Sequence, residues 1–353
     1  MRFLILLAFI IADPLAIAET FNSANNPNNF SRIAGTNLIL NFESLPKEGM
    51  LSDSRLGWSE SYWPFNKGGI TYRWNHPDPQ PFKYRLHTQQ EVMKMSQEEL
   101  SQLSPSELYD IANNDFNYTL TRSTMRKYSP RDLWWEGICH GWAQAASHYP
   151  EPAPVLVTSK SGIKVPFGSS DVKALLAMHE SYNFGGKFGF VGVRCKASGK
   201  VPGEGSERDT NPNPPQSDVA NTPDCRDANA GAFHVVITNM LGILGKGFVA
   251  DIDRYGDVWN QPITNYSTTN LGEEPVTSEH RSLGITRRIK VKTTMTYGEE
   301  LKFKTPELEA SGILNFVSKW PVTNTPHQKF LAKDYIYIVE LDFNGNVRNP
   351  QLN

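Results

Sequence analysis

Cys139, His234 and Asp251 are the residues whose types and order can carry covalent chemistry in this chain. A thiolate attacks an acyl carbon, an imidazole takes and returns the proton, and a carboxylate fixes the imidazole tautomer. Cys139 stands at the head of a helical segment within Tyr128–His148, YSPRDLWWEGICHGWAQAASH. At that position the free amides and the helix dipole favour the thiolate, and the same amides can hold an oxyanion. A buried structural cysteine is the alternative. Asp253 is the second choice for the orienting carboxylate. His140 is nearer in sequence, but one residue along a helix turns the side chain about 100° away. Trp134 or Trp135 is placed to line the acyl site, with the Trp135 indole N–H as a donor to the oxyanion; both also read as core aromatics.

The elements that must position these groups follow from local pattern. Ser129, Pro130 and Asp132 read as a helix start, which Gly137 breaks. Trp142, Ala143 and Ala146 give the Cys139 helix one apolar stripe. Gly141 inside it marks a backbone that something approaches closely. Ala232–Met240 reads as a strand, Gly242–Lys246 as a turn and Gly247–Asp253 as the return strand, which sets His234 across from Asp251. Ser96–Asn113 predicts two short helices, capped by Ser96 with Glu99 and interrupted at Pro105. Val155–Phe167 predicts a hairpin. A helix over Asp171–Tyr182, capped by Ser169 or Ser170, is expected to turn Val172, Leu175, Leu176 and His179 inward. Further strands are expected over Leu38–Phe42, Phe188–Arg194, Arg287–Tyr297 and Asp334–Phe343. The aromatic run Trp58–Trp74 reads as a packing layer. Helices and strands mix without βαβ regularity, so the class is α+β. A cysteine on a helix head followed by His and Asp on adjacent antiparallel strands is the papain-like order. The chain divides into residues 1–18, an N-terminal region over 19–125 and a catalytic core over 126–353.

Composition limits the partners. The formal net charge of −2 and the lack of a Lys/Arg run argue against nucleic acid. Arg2, the apolar run Phe3–Ile11 and Ala16-Ile17-Ala18 form a secretory signal, too short to span a bilayer. The mature protein is therefore expected outside the cytoplasm (extracellular, cell wall or periplasm), with no membrane partner after signal removal. In that compartment three cysteines leave one over. A Cys195–Cys225 disulfide closing the polar loop between them leaves Cys139 free, and no cysteine pair has zinc-ligand spacing. Asp251, Asp253 and Asp257 have the spacing of a calcium loop without its terminal glutamate. Asn29, Asn117 and Asn265 head glycosylation sequons.

The sequence resembles the transglutaminase elicitor family of oomycete cell-wall proteins and their bacterial relatives. The resemblance rests on GICHGWAQAA around Cys139, on CRDANAGAFHVVITNMLG from Cys225 to Gly242, and on VWNQP, Val258, Trp259, Asn260, Gln261 and Pro262. VWNQP matches the start of the peptide that plants recognise in those proteins. Here it continues Ile263–Tyr266, without the basic residue of that peptide. The resemblance implies a calcium-dependent transglutaminase with a papain-like core, in which Cys139 is the nucleophile, His234 the base and Asp251 the orienter. Its partners would be two proteins, one giving a glutamine amide and one a lysine amine. A cysteine protease or amidase with the same residues is the first rival, and a non-enzymatic surface or elicitor protein the second.

Overall fold

The computed structural model describes residues 25–74, 84–182, 189–192, 228–252, 258–301 and 330–348. The first half is built from short helices whose ends are written into the sequence. α1 (Ser31–Ala34) stops at Gly35, and β1 (Glu48–Met50) follows. α2 (Gln89–Val92), α3 (Gln97–Ser101) and α4 (Pro105–Ala112) each open on a capping box: Thr88 with Glu91, Ser96 with Glu99 and Ser104 with Glu107. The predicted pair over Ser96–Asn113 is found, and Pro105 takes the first turn of α4, where its missing N–H has no cost. α5 (Thr119–Lys127) and α6 (Cys139–His148) come next. The expected hairpin is β2 (Val155–Thr158) against β3 (Lys164–Phe167), and α7 (Ser169–Tyr182) follows it.

The second half is one antiparallel sheet with a helix on its face. α8 (Ala230–Ile237) runs on as a π-helical turn over Thr238–Ile243. After it come β4 (Phe248–Asp251), β5 (Asn260–Glu273), the short α9 (Ser278–Ser282), β6 (Arg287–Gly298), β7 (Phe330–Leu341) and β8 (Val347–Arg348). The order is β1-β5-β6-β7-β8, with β4 also paired to β5. β4 covers the start of β5, Asn260 to Ile263, and β1 covers Asn265 to Ser267. Ala232, Val235, Val236 and Met240 of the α8 region pack on Ile289, Val291, Val339 and Leu341. A second core joins α6 and α7 to the aromatic run, with Trp58, Trp63 and Trp142 fully buried. The packing-layer reading of that run therefore holds.

Several expectations are corrected. Ala232–Met240 is helical, not a strand. Asn229 caps it by accepting from the Ala232 amide at 3.0 Å. The run is apolar all round because both sheet and loops cover it, and a buried helix then reads like a buried strand. Residues 129–138 form turns: Asp132 bonds the Ser129 amide at 2.7 Å, yet no helical ladder follows. Leu38–Phe42 holds only an isolated bridge, Asn41 to Asn346. Gly189–Gly192 is irregular. Of the face predicted for α7, Val172, Leu175 and Leu176 pack against the cores half-buried, His179 is exposed, and the fully buried positions include Ser170, Lys173, Ala174 and Ala177. The predicted signal over residues 1–18, the Cys195–Cys225 pair and Asp253 lie outside the described residues. Among those residues no helix is long and apolar enough to cross a membrane.

Candidate active site

The site begins where α6 is pinned. The Ile138 amide donates to the Tyr62 carbonyl at 2.7 Å, and the Trp142 indole donates to the Trp58 carbonyl at 3.0 Å. Gly137 lies so close to Tyr62 that a Cβ would stand 2.3 Å from its carbonyl oxygen. On the next turn a Cβ on Gly141 would meet the Ala177 carbonyl of α7 at 2.1 Å. This is the close approach that the sequence signals, and it holds α6 against α7. Gly141→Ala should therefore destabilise by about 2 kcal/mol in urea unfolding, although alanine favours a helix by about 1 kcal/mol. An unchanged or raised midpoint would contradict this packing.

The Cys139 thiol is held between an acceptor and donors. Sγ donates to the Val258 carbonyl at 3.6 Å and receives the Asn260 side-chain amide at 3.6 Å. The backbone N–H groups of Asn260 and His140 also point to it. The thiol is 5% exposed. Burial pushes its pKa up to about 11, the Glu300 carboxylate adds to the rise, and the amides oppose it without prevailing. The expected thiolate-favouring effect of the helix head is thus outweighed by desolvation. Alkylation of Cys139 by iodoacetamide should rise about tenfold per pH unit from 7 to 10. A plateau below pH 9 would show a thiol that ionises well below 11.

VWNQP leads into β5, which begins at Asn260, and it forms the wall of the cysteine. The Trp259 ring packs edge-on to Tyr62 at 5.5 Å and tilted to Trp134 at 5.8 Å. The Tyr62 hydroxyl donates to the Trp134 carbonyl at 2.8 Å. Asp251 pairs with Asn260 across β4 and β5 and accepts the Trp259 amide at 3.1 Å. Asp251 thus reaches the site as a brace for the VWNQP backbone. Trp135 is half-buried in the preceding turn.

His234 is placed elsewhere. It sits on α8 and not on a strand beside β4, so the predicted pairing with Asp251 is not formed. The ring is 3% exposed and stacks on Phe42 at 5.3 Å. Its Nδ1 lies 2.9 Å from the Tyr337 hydroxyl, which also bonds Thr293 at 2.7 Å. Burial lowers the His234 pKa to about 4. His140, set aside from its position, lies on the exposed side of α6.

A model of the transglutaminase elicitor family matches residues 28–348. The chain belongs to the transglutaminase elicitor family. The crystal structure of the GP42 transglutaminase from Phytophthora sojae is similar to it, with a TM-score of 0.57 and 18% identity over 94% of this chain and 86% of that one. At that identity the likeness is one of fold. No curated protein matches the chain.

Within this family member, a buried charged cluster lies behind the cysteine wall. Lys173 of α7 is 1% exposed and donates to Glu151 at 2.7 Å and to the Ser59 carbonyl at 2.9 Å. Glu60, two residues before Tyr62, is fully buried and accepts the Ser61 amide. Asp171 accepts the Trp74 indole at 2.8 Å and the Gly168 amide at 2.7 Å. Burial raises both carboxyls to about 7. Sequence reasoning missed this cluster, along with Asn260 and Tyr62 as neighbours of the thiol. Proximity of VWNQP to the site was the one available signal. Among the described residues no three His, Cys, Asp or Glu side chains converge to hold a metal ion. Of the calcium-loop candidates, Asp253 and Asp257 lie outside the described residues.

Proposed function

We propose that this protein is an exported transglutaminase that joins glutamine and lysine side chains through a thioester on Cys139, on a papain-like core. One observation carries the reading. In a chain of the transglutaminase elicitor family, the single described cysteine stands at a helix head with Asn260 and backbone amides directed at its sulfur. Sγ attacks the side-chain carboxamide of glutamine, and the amides receive the carbonyl oxygen as it gains charge. Collapse expels ammonia, which leaves carrying the proton of the thiol. A lysine amine then forms the C–N bond, the C–S bond breaks, and the amine proton returns to sulfur. The aromatic wall excludes water, the competing acceptor.

His234 remains the candidate base from sequence. Its Nδ1 is bonded to Tyr337. The thiol pKa near 11 makes a base or an entering substrate necessary, since the free enzyme holds little thiolate at neutral pH.

The test is incorporation of a fluorescent primary amine into casein by wild type and Cys139→Ala, with calcium and with chelator. Labelling that vanishes in Cys139→Ala supports the transferase, and loss with chelator extends the family's calcium requirement to this chain. Ammonia release or peptide cleavage without labelling moves the protein to the amidase or protease reading. Wild-type eliciting activity in Cys139→Ala, with no labelling by either protein, leaves a non-enzymatic surface protein.

A further inference from the structure

Among the described residues Lys173 is the one buried lysine. Its Nζ lies 2.7 Å from Glu151 Oε1 and 2.9 Å from the Ser59 carbonyl. The other lysine–carboxylate pairs described, Lys290–Glu274 and Lys292–Asp334, have side chains a third or more exposed. Arg73–Glu107 is also shielded from water, but a guanidinium keeps its proton and is no nucleophile. Both ends of the Lys173 pair are fixed. Ala174 and Ala177 pack the same helix, α7, against Trp142, Ala145 and Ala146 of α6. The Glu151 amide donates to the Arg55 carbonyl at 2.9 Å. The fully buried Trp58 ring lies 5.2 Å from Nζ, and its indole N–H donates to the Tyr149 carbonyl at 3.0 Å. The Glu151 side chain is 14% exposed, which leaves a way out for one water molecule.

We propose that Lys173 and Glu151 join in the folded chain as an intramolecular amide. The C–N bond forms between Nζ and Cδ, and one C–O bond of the carboxylate breaks. That oxygen leaves as water with two of the three ammonium protons, and the third stays on the amide nitrogen. No oxidant, metal or nucleotide enters the balance. In water the two groups do not condense, because both charges are solvated and the groups meet rarely. A dry site removes the first obstacle. Moving one proton across the 2.7 Å bond gives the neutral amine and acid, which react, and relieves the cost of two buried charges. Fixed anchors remove the second, since well-oriented groups reach effective molarities of about 10⁵–10⁸ M. The acyl group is a glutamate and not a glutamine, so the step does not draw on Cys139 and is independent of the function proposed above. The bond staples α7 to the segment after α6, behind the Cys139 helix. Closing it removes both charges and leaves burial, the largest cause, to keep the Glu60 carboxyl raised.

The test is a tryptic digest of the full chain, read by mass after a thermal melt has shown the sample to be folded. Trypsin does not cut at an acylated lysine. In wild type the peptide over residues 165–187, uncut at Lys173, should therefore appear joined to the peptide over 132–160, one water lighter than their sum. Lys173→Arg, which cannot form the amide, should give the two regions separately, with cleavage restored at residue 173. Cys139→Ala should carry the bond as fully as wild type. Only separate peptides from folded wild type overturn the proposal. So does a bond present in wild type and absent from Cys139→Ala, which would make it a product of the thiol.

Discussion

Asn260→Ala should lower ammonia release from a glutamine substrate about a hundredfold while leaving the protein folded. The Asn260 side chain is the polar side chain in hydrogen-bond contact with Sγ, at 3.6 Å. It sits at the first residue of β5, held in register by Asp251 on β4. Its backbone amide and that of His140 point at the same sulfur. When the carbonyl oxygen of an amide attacked by that sulfur takes on charge, these are the donors beside it. Removing one such donor costs about 10²–10³ in turnover, or about 3–4 kcal/mol of barrier. Folding should suffer much less, because Asn260 is half-buried and its ladder hydrogen bonds come from the backbone. Asn260→Asp should be worse than alanine, since it sets a negative charge where the oxyanion and the thiolate must form. Initial rates and thermal melts on the same samples check both halves. Turnover within twofold of wild type in Asn260→Ala would remove this residue from the chemistry.

That residue shows how much of the site the sequence discloses. The helix head at Cys139 was legible because its signals are local: glycines at 137 and 141, an apolar stripe, and aromatics before the cysteine. The capping boxes at Thr88, Ser96 and Ser104 are local too, and the Ser96 box was read correctly. β5 was missed because Asn260–Glu273 carries Asn260, Asn265, Asn270, Gly272 and Pro262, which are poor strand signals taken singly. Its strand character comes from being clamped by β1, β4 and β6. The α8 run failed for the opposite reason: burial on all sides erased the period that separates helix from strand. The expected place of His234 across from Asp251 rested on that hairpin. The fold instead gives it Tyr337, over 100 residues on. Lys173, Glu151 and Glu60 are joined only by tertiary packing, and no spacing in the sequence connects them.

Two buried groups with opposite linkage give the last prediction. His234 titrates near 6.5 when unfolded and near 4 when folded, so the unfolded chain binds the proton first. Its contribution is complete above pH 6.5 and is lost as pH falls toward 4, about 3 kcal/mol in all. Glu60 does the reverse, with a folded pKa near 7 against 4.5. The folded protein holds that proton, so the contribution is complete below pH 4.5 and is lost as pH rises through 7, again about 3 kcal/mol. The groups facing Glu60 are Lys173, which favours its charged form, and Glu151, which opposes it. Asp171 feels the Glu60 charge and, by burial, adds to the alkaline loss. The windows nearly coincide, so the two slopes largely mask each other in wild type. Glu60→Gln, whose amide can still accept from Ser61 and donate to Ser170, should make stability rise more steeply between pH 4.5 and 7. His234→Gln, which can still bond Tyr337, should make it fall more steeply over the same range. Urea unfolding at half-unit steps would show the two variants diverging from wild type in opposite directions. A variant that tracks wild type would mean that the group it replaces keeps its ordinary pKa in the fold.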